Sequence, residues 1–297
     1  MSTEYLDLFR EIFFKKAVLF KKNFLKVQAE FGDVWNDEFN IHLEKLFARD
    51  EEKYLNAVLG YSSFAIDAMR LQKKFNGKLK YENVTYEEAC NKVYMNEDYM
   101  LKLYLPGIYV SHFLWRHHFK QFIYYKEKFL PLLDKGADKR FYDVGTGTGF
   151  YTIQIFRYRK DSQGYGVDIS PYSRLFTQNN VNAWGFDNRF NSVNINIIDA
   201  ALEALPFIQC VEVLEHLSNP QLFLNNLRKL LKTGGYGFIT AALTAPNADH
   251  IYLYWTPEDV IKQLKTAGFT IIDFVEELAY EGMSGEHVPK LGAFIVS

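Results

Sequence analysis

Cysteine is nearly absent from this chain. Its 297 residues include only two cysteines, Cys90 and Cys210, and a disulfide framework or a zinc ribbon needs more than two. Cys210 stands inside an apolar run, so we interpret it as a buried thiol. A chain without a disulfide framework suits a reducing compartment.

Long apolar stretches are missing as well. No run approaches the roughly 18 apolar residues that a membrane-spanning helix needs. The first residues include the acids Glu4, Asp7 and Glu11, where a signal peptide would have a basic segment followed by an apolar one. We therefore expect a cytoplasmic protein without a membrane span.

Neither sign of charge is in excess. The chain has 34 basic and 36 acidic residues, for a net charge of −2. Proteins that bind nucleic acids usually carry a basic excess, so the balance argues against such a partner, although a local basic patch is compatible with it. The expected partner is a small molecule, and the composition leaves the oligomeric state open.

Proline is rare in the first 130 residues, where Pro106 is the only one. Apolar residues recur there at helical spacing, which predicts a helical N-terminal region over residues 1–133. Aromatic residues make up 17% of the chain and indicate either an aromatic-lined pocket or a helical core built with Phe. The predicted helices run from Leu6 to Phe24, from Asp37 to Phe75 with a break near Gly60, from Thr85 (with Glu88 as a capping box) to Leu103, and from Ile108 to Leu133.

Short β-type runs alternate with helical segments from Lys139 onward. This alternation predicts an α/β domain over residues 134–297, with a largely parallel sheet covered by helices on both faces. The predicted strands are RFYDV, GYGVDI, NSVNINII, PFIQCVEV, YGFITAA, FTIIDFVEE and LGAFIV.

A glycine-rich turn follows the first of these strands. Gly145, Gly147 and Gly149 stand at alternate positions between a strand and a helix, and Asp143 precedes them. Glycine permits a tight turn and a close approach of a ligand to the backbone. The spacing differs from the G-x-G-x-x-G that suits a dinucleotide pyrophosphate. An NAD-linked sheet, or a sheet that binds nothing, remains an alternative.

Acidic residues end the next two predicted strands. Asp168 ends the second strand, where a carboxylate can accept both hydroxyls of a ribose. Asp199 ends the third, where it can accept an adenine amino group. Because the carboxyl ends of parallel strands meet at one sheet edge, these acids predict a nucleoside site.

The segments just described resemble the class I S-adenosylmethionine-dependent methyltransferases, and most closely the group that contains the ubiquinone-pathway O-methyltransferases. FYDVGTGTGF, GVDIS, IIDA, VEVLEHL and LLKTGGYGFIT match that family's motifs in order. The resemblance covers Lys139–Ser297. It implies a Rossmann-like fold with seven mostly parallel strands in the order 3-2-1-4-5-7-6 and strand seven antiparallel, capped by the N-terminal helices.

The resemblance also implies a cofactor, S-adenosylmethionine, and the residues that hold it. An acid that the family carries early in strand four is absent here, where Pro206 and Phe207 stand. The expected cofactor-binding residues are Asp143, Gly145, Thr146, Gly147, Gly149, Asp168, Ile169, Asp199, Ala200, Glu212 and Val213.

Methyl transfer needs a general base only when the acceptor arrives protonated. His216, beside the expected methyl position, and His250 are the candidates, and a structural role for His216 is an alternative. No metal is expected. Glu212, Glu215, His216 and His250 nevertheless also resemble the metal-binding set of small-RNA 3′-end methyltransferases, which is a second hypothesis.

The acceptor pocket is expected beneath the N-terminal helices. Candidate acceptor contacts are Tyr109, His112 and Trp115 before the sheet and Tyr254 after strand five, with Thr244 and Asn247 bordering the same cleft. The alternative is that the segment with Tyr109, His112 and Trp115 is a helix that only packs against the rest of the protein. The leading hypothesis is an enzyme that methylates an O or N atom of a small, biosynthetic metabolite. The alternatives are a metal-assisted RNA methyltransferase and a regulatory protein that binds the cofactor without turnover.

Overall fold

Three helices form the first part of the chain, and the second of them is kinked at Gly32, whose backbone is not helical (φ 55°, ψ −133°). The computed structural model describes residues 3–82, 85–89 and 93–297. The predicted helix boundaries are wrong here, because the breaks between helices fall at Ala17 and at Asp50. The Asp50 carboxylate caps the helix that follows it. Gly60, where a break was expected, lies inside that helix. The helices are α1 (Glu4–Lys16), α2 (Lys21–Phe47) and α3 (Glu51–Lys78), with a 3-10 turn at Val18–Phe20.

Shorter helices follow. Trp115 has an extended backbone (φ −99°, ψ 123°) and divides the helix predicted from Ile108 to Leu133. The predicted capping box is confirmed, since the Thr85 N–H donates to Glu88 Oε2 (2.9 Å) and the Glu88 N–H donates to Thr85 Oγ1 (3.1 Å). Cys90 lies outside the described residues. The elements are α4 (Tyr86–Ala89), α5 (Glu97–Tyr99), a π turn (Met100–Tyr104), α6 (Leu105–Leu114), α7 (Arg116–Tyr124), a π turn (Tyr125–Phe129) and a 3-10 turn (Leu130–Asp134).

Helices α3 and α6 approach each other through two glycines. A Cβ atom on Gly107 would lie 2.5 Å from the backbone carbon of Gly60, and a Cβ on Gly60 would lie 1.9 Å from the carbonyl oxygen of Leu103. No side chain larger than hydrogen fits at this crossing. The contact fixes the position of α6, which carries His112.

The second part of the chain is a seven-stranded sheet, and the predicted order 3-2-1-4-5-7-6 is confirmed. Strand β7 runs antiparallel to both of its neighbours. The third strand ends at Asn194, so the prediction that it continues to Ile198 is wrong. The strands are β1 (Arg140–Val144), β2 (Gln163–Asp168), β3 (Phe190–Asn194), β4 (Leu205–Cys210), β5 (Leu231–Leu243), β6 (Ile271–Leu278) and β7 (Lys290–Val296), and the helices are α8 (Phe150–Tyr158), α9 (Pro171–Ala183), α10 (Pro220–Lys229) and α11 (Pro257–Thr266).

Alternate residues of the strands pack on opposite faces of the sheet. Phe141 and Phe238 belong to a core shared with α8 and the aromatic N-terminal helices, in which Phe39 stacks on Phe113 at 4.4 Å. Tyr142 and Ile239 belong to the other face, beneath α10 and α11. The N-terminal helices are therefore packed directly on the sheet.

Two further expectations concern the core and the membrane. Cys210 is fully buried in the face beneath α10 and α11, as predicted. In the part of the chain that the structure describes, no helix combines the length and apolarity that crossing a membrane requires.

Candidate active site

The glycine turn joins β1 to α8 at the carboxyl edge of the sheet. Gly145, Gly147 and Gly149 all have positive φ (75°, 49° and 72°), which favours glycine. A Cβ on Gly145 would lie 2.4 Å from Val213 Cγ2, and one on Gly149 would lie 2.8 Å from Thr177 Cγ2. The turn thus needs glycine both for its backbone conformation and for its packing.

Asp168, at the end of β2, holds this turn in place. Its carboxylate accepts hydrogen bonds from Thr146 Oγ1 (3.3 Å), the Gly147 N–H (3.2 Å) and the Ser170 N–H (2.8 Å). Burial raises the pKa of Asp168, and these donors oppose the rise. Asp168, Thr146 and the neighbouring Ile169 all line one cleft with the glycine turn.

Asp143, at the end of β1, lines the same cleft but is almost fully buried. Its carboxylate accepts a 2.5 Å hydrogen bond from Thr152 Oγ1. Gln209 in turn donates to Thr152 Oγ1 (3.5 Å) and accepts from the Tyr125 hydroxyl (2.6 Å). Burial raises the pKa of Asp143 to about 7, so this carboxyl changes charge near neutral pH.

The structure does not bring Asp199 and Ala200 to this cleft. Strand β3 stops early, and Asp199 lies exposed in the turn that follows, where its N–H donates to the Asn196 carbonyl oxygen (3.1 Å). Ile197 and Ile198 line the cleft instead. The run NSVNINII predicts a longer strand because its β-type residues continue to Ile198, beyond Asn194, the last residue that pairs with β2.

Glu212 and Val213 follow β4 and line the cleft beside the glycine turn. Glu212 has a positive φ of 53°, an uncommon conformation for a residue with a side chain. Its N–H donates to Thr240 Oγ1 (2.9 Å), and that hydroxyl donates back to Glu212 Oε1 (2.7 Å). Burial raises the pKa of Glu212, and the Thr240 hydrogen bond opposes the rise.

The cleft has a volume of about 880 Å³ and lies between the sheet edge and the N-terminal helices. Its wall on the sheet side contains eight of the predicted cofactor residues, namely Asp143, Gly145, Thr146, Gly147, Asp168, Ile169, Glu212 and Val213. Its wall on the helical side is largely aromatic. The aromatic residues of the chain therefore form both a helical core built with Phe and an aromatic-lined pocket. The helical wall includes Tyr61, Phe64, Met69, Tyr94, Met100, Tyr104, His112, Trp115, His117 and His118.

Two of the four predicted acceptor contacts line this cleft. His112 stacks on Phe150 at 4.2 Å, and Trp115 stacks on Phe64 at 5.0 Å. Burial holds the pKa of His112 well below its usual range, so its ring is neutral.

The other two acceptor predictions are corrected by the structure. Tyr109 is buried in the core and contacts His42 Nδ1 (2.5 Å), and the hydroxyl of the buried Tyr254 donates to Gln263 Oε1 (2.7 Å). Each phenol hydroxyl has a side-chain partner of its own. Asn247 lines the cleft, whereas Thr244 is buried and donates to the Val288 carbonyl oxygen (2.8 Å).

A polar cluster stands where β4 ends, at the base of the cleft. Ligand atoms of Glu215, His216 and His250 lie within 4.8 Å of one another. Both carboxylate oxygens of Glu215 are buried and have no hydrogen-bond partner among the described residues, and burial raises its pKa well above the usual range. Burial also lowers the pKa of His250 to about 4. The nearby Asp249, which motif reasoning missed, completes this group.

Residues 142–236 match the family model of a methyltransferase domain. This match begins in β1, extends into β5 and includes the glycine turn, in the sheet order of class I enzymes. The chain contains a methyltransferase domain with the class I fold. Its cofactor is therefore S-adenosylmethionine, and a search among curated proteins finds no match.

Solved structures similar to this methyltransferase have low sequence identity to it. A SAM-dependent methyltransferase from Aquifex aeolicus is 17% identical, with 72% of this chain and 100% of that chain covered and a TM-score of 0.44. The N-methyltransferase NodS from Bradyrhizobium japonicum is 20% identical (56% and 83% covered, TM-score 0.42). A phosphoethanolamine N-methyltransferase from Haemonchus contortus is 13% identical (72% and 60% covered, TM-score 0.49).

Proposed function

We propose that this methyltransferase transfers the methyl group of S-adenosylmethionine to an O or N atom of a small biosynthetic metabolite. The cofactor is held by the residues at the ends of β1, β2 and β4. The acceptor occupies the helical side of the cleft. We therefore continue to interpret residues 1–133 as the acceptor-binding region.

The observation that carries this proposal is the single cleft with two different walls. One wall has the glycine turn and Asp168, and the other has aromatic rings and neutral histidines such as His112. Methyl transfer is a direct displacement at carbon, for which the protein must align the reactants and exclude water. Rings such as Trp115 and Phe64 provide an apolar wall for a planar or apolar acceptor.

The resemblance to the ubiquinone-pathway group favours a hydroxyl acceptor. A hydroxyl must lose its proton as the methyl group arrives. His216 and His250 line the same cleft as Glu212 and Val213, near the expected position of the methyl group. We therefore assign the role of general base to this histidine pair, with His216 as the main candidate.

A second candidate function, metal-assisted RNA methylation, is favoured by one observation. His250 Nδ1 lies 2.6 Å from the Ala245 carbonyl oxygen, which can only accept, so Nδ1 carries the proton and Nε2 has a lone pair. Together with His216 and the unpartnered Glu215 carboxylate, it provides oxygen and imidazole ligands suited to a divalent cation.

One labelling experiment separates these functions. The purified chain is incubated with S-adenosylmethionine labelled in the methyl group, and with either a small-molecule extract or total RNA, each with and without EDTA. We expect label in the small-molecule fraction that EDTA does not remove. Label in RNA that EDTA abolishes supports the second candidate, and label in neither fraction contradicts both.

Two variants control the experiment. D168A should abolish the label because it removes the cofactor's ribose partner, whereas D187N changes an exposed carboxylate outside the cleft and should leave the label intact. Binding of S-adenosylhomocysteine without any methyl transfer would indicate a regulatory protein.

A further inference from the structure

The turn between α1 and α2 is the exposed tip of a helical hairpin. Phe13 near the end of α1 contacts Phe24 near the start of α2 (5.3 Å between ring centroids), so the chain doubles back between them. In the turn the Phe20 side chain is buried, whereas Val18 and Leu19 are 65% and 66% exposed. One exposed aliphatic side chain is ordinary on a protein surface, but these two are adjacent. The turn thus presents an apolar pair to solvent.

Lysines flank this apolar pair on both sides. Leu25, in the following turn of α2, is also 44% exposed. The sequence has no acidic residue between Glu11 and Glu30. Glu11 forms an ion pair with Lys15 (2.6 Å). Glu30 forms one with Arg116 (2.7 Å). A chain of net charge −2 thus has a locally basic surface. We call this surface the basic tip; it consists of Val18, Leu19, Leu25 and the exposed lysines Lys15, Lys16, Lys21, Lys22 and Lys26.

This combination of side chains fits the surface of an anionic bilayer. Aliphatic side chains enter the boundary between headgroups and acyl chains, and lysine ammonium groups bind the anionic headgroups. Each lysine near such a surface strengthens binding by about fivefold. Nucleic acid fits less well, because proteins stack unpaired bases on aromatic rings, and the apolar side chains of the basic tip are all aliphatic.

The basic tip adjoins the helical side of the cleft. Phe20 and Asn23, between its lysines and Leu25, both line the cleft, and the Phe20 ring contacts the Tyr61 ring at 5.4 Å. Asn23 Nδ2 donates to the Leu114 carbonyl oxygen (2.8 Å). The next residue along the chain, Trp115, is another cleft residue. A surface bound at the basic tip therefore lies beside the wall to which the proposed function assigns the acceptor.

We propose that the basic tip docks this chain on an anionic lipid surface. Val18, Leu19 and Leu25 enter the boundary between headgroups and acyl chains, and the lysines around them bind headgroup phosphates. Neither group of side chains is sufficient alone, since the lysines supply the long-range attraction and the aliphatic side chains supply the buried apolar area. The docking goes beyond the proposed function and does not depend on it.

Co-sedimentation with lipid vesicles tests this docking. The full chain is mixed with vesicles of phosphatidylcholine alone, or of equal parts phosphatidylcholine and phosphatidylglycerol, at low and at high salt. We expect binding to the anionic vesicles that added salt weakens, because salt screens exposed charges, and little binding to the neutral vesicles. Equal binding to both kinds of vesicle, or binding to neither, overturns the proposal.

Two matched charge variants locate the binding surface. K22Q/K26Q removes two exposed lysines of α2 and should weaken binding to the anionic vesicles by about 10- to 30-fold. K262Q/K265Q removes two exposed lysines of α11, which covers the opposite face of the sheet, and should bind like the unchanged chain. Equal losses in the two variants would show attraction by overall charge only and would overturn the role of the basic tip.

A further pair of variants tests the aliphatic side chains. V18S/L19S keeps every charge but removes the apolar pair, and should weaken binding to the anionic vesicles by about threefold or more. L175S/V193S is its control, since these side chains are 44% and 43% exposed elsewhere on the chain, and should bind normally. Circular dichroism checks that each variant is folded. Normal vesicle binding by folded V18S/L19S overturns the proposal.

The same variants detect other occupants of the basic tip. Binding of a single-stranded RNA oligonucleotide that K22Q/K26Q abolishes, without binding to anionic vesicles, would assign the surface to nucleic acid and overturn the proposal. An oligomer that V18S/L19S dissociates would assign it to a second copy of the chain, with the same consequence. Titration with S-adenosylhomocysteine separates the docking from the proposed function, because a chain that binds vesicles but not this ligand contradicts only the proposed function.

Discussion

Asp168 connects the backbone of the glycine turn to the proposed ribose position. In D168A we expect the affinity for S-adenosylhomocysteine to fall by about 10- to 100-fold, since the partner of two hydroxyls and the anchor of the turn are both lost. Titration calorimetry measures this loss. D187N, at an exposed carboxylate, should bind like the unchanged protein, and equal affinity in D168A would contradict the ribose assignment.

The raised pKa of Asp143 predicts a pH dependence of cofactor binding. The resemblance places the cofactor's methionine part, which carries an ammonium group, beside Asp143, and a cation there favours the carboxylate form. Because the pKa of Asp143 in the free protein is about 7, binding below that pH must release a proton. The affinity should therefore fall as the pH decreases from 8 to about 5.5, by at most about tenfold per pH unit.

Calorimetry in two buffers of different ionisation enthalpy measures that proton release. D143N has no carboxyl to titrate, so its affinity should be weaker at high pH and nearly independent of pH. A wild-type affinity that is constant over this range would contradict the role of Asp143.

Asp199 is a predicted cofactor residue that the structure leaves outside the cleft. Because it is exposed in the turn after β3, we expect D199A to change the affinity for S-adenosylhomocysteine by less than about threefold, well within the effects of surface changes. A loss as large as that of D168A would restore the adenine assignment.

At the residue scale, the sequence predicted the positions that depend on local backbone geometry. The three glycines and Asp168 are close in sequence to a strand end, so the local pattern indicates their place. Asp249, Tyr94 and Tyr104 meet only through tertiary packing, over separations of 155 and 145 residues. No spacing rule connects residues so far apart.

At the scale of elements, the turn between β1 and α8 requires glycine at Gly145. G145A would combine a positive φ, which costs about 1–2 kcal/mol, with a contact 2.4 Å from Val213. We expect the free energy of unfolding to fall by about 2–5 kcal/mol in urea denaturation. G234A is the matched control, since Gly234 also has positive φ (77°) but open surroundings, and should lose only the conformational part.

The crossing of α3 and α6 makes an equally specific prediction. In G107A the new methyl group meets the backbone of Gly60 at 2.5 Å, so the helices must separate, and we expect a loss of about 3 kcal/mol or more. Gly77 lies in α3, where no atom of the described residues would lie within 4 Å of the new methyl group, so G77A should stabilise the chain by about 0.5–1 kcal/mol. Urea denaturation measures both; equal effects would show that the crossing tolerates a methyl group.

The helix and strand boundaries show where sequence patterns are informative. The strand order followed from the resemblance and is confirmed, because strand–helix alternation leaves few topologies open. The breaks at Asp50 and Trp115 were not predicted. Apolar periodicity continues across both, and the breaks depend on a capping carboxylate and on how α6 and α7 pack.

At the scale of the whole molecule, the N-terminal helices and the sheet share one core and enclose one cleft. Cofactor chemistry is determined by the sheet edge, which sequence motifs describe. In the proposed function, acceptor specificity depends on rings such as Phe64 in α3 and Trp115 between α6 and α7. The tertiary packing of those helices, and not any local pattern, forms this wall.

Binding of the cofactor product is the most direct test of the account. Titration calorimetry of the purified chain with S-adenosylhomocysteine should give one site per chain, with micromolar or tighter affinity that D168A reduces and D187N does not. The absence of measurable binding in a folded sample would contradict the assignment of the sheet edge as the cofactor site, and the proposed function with it.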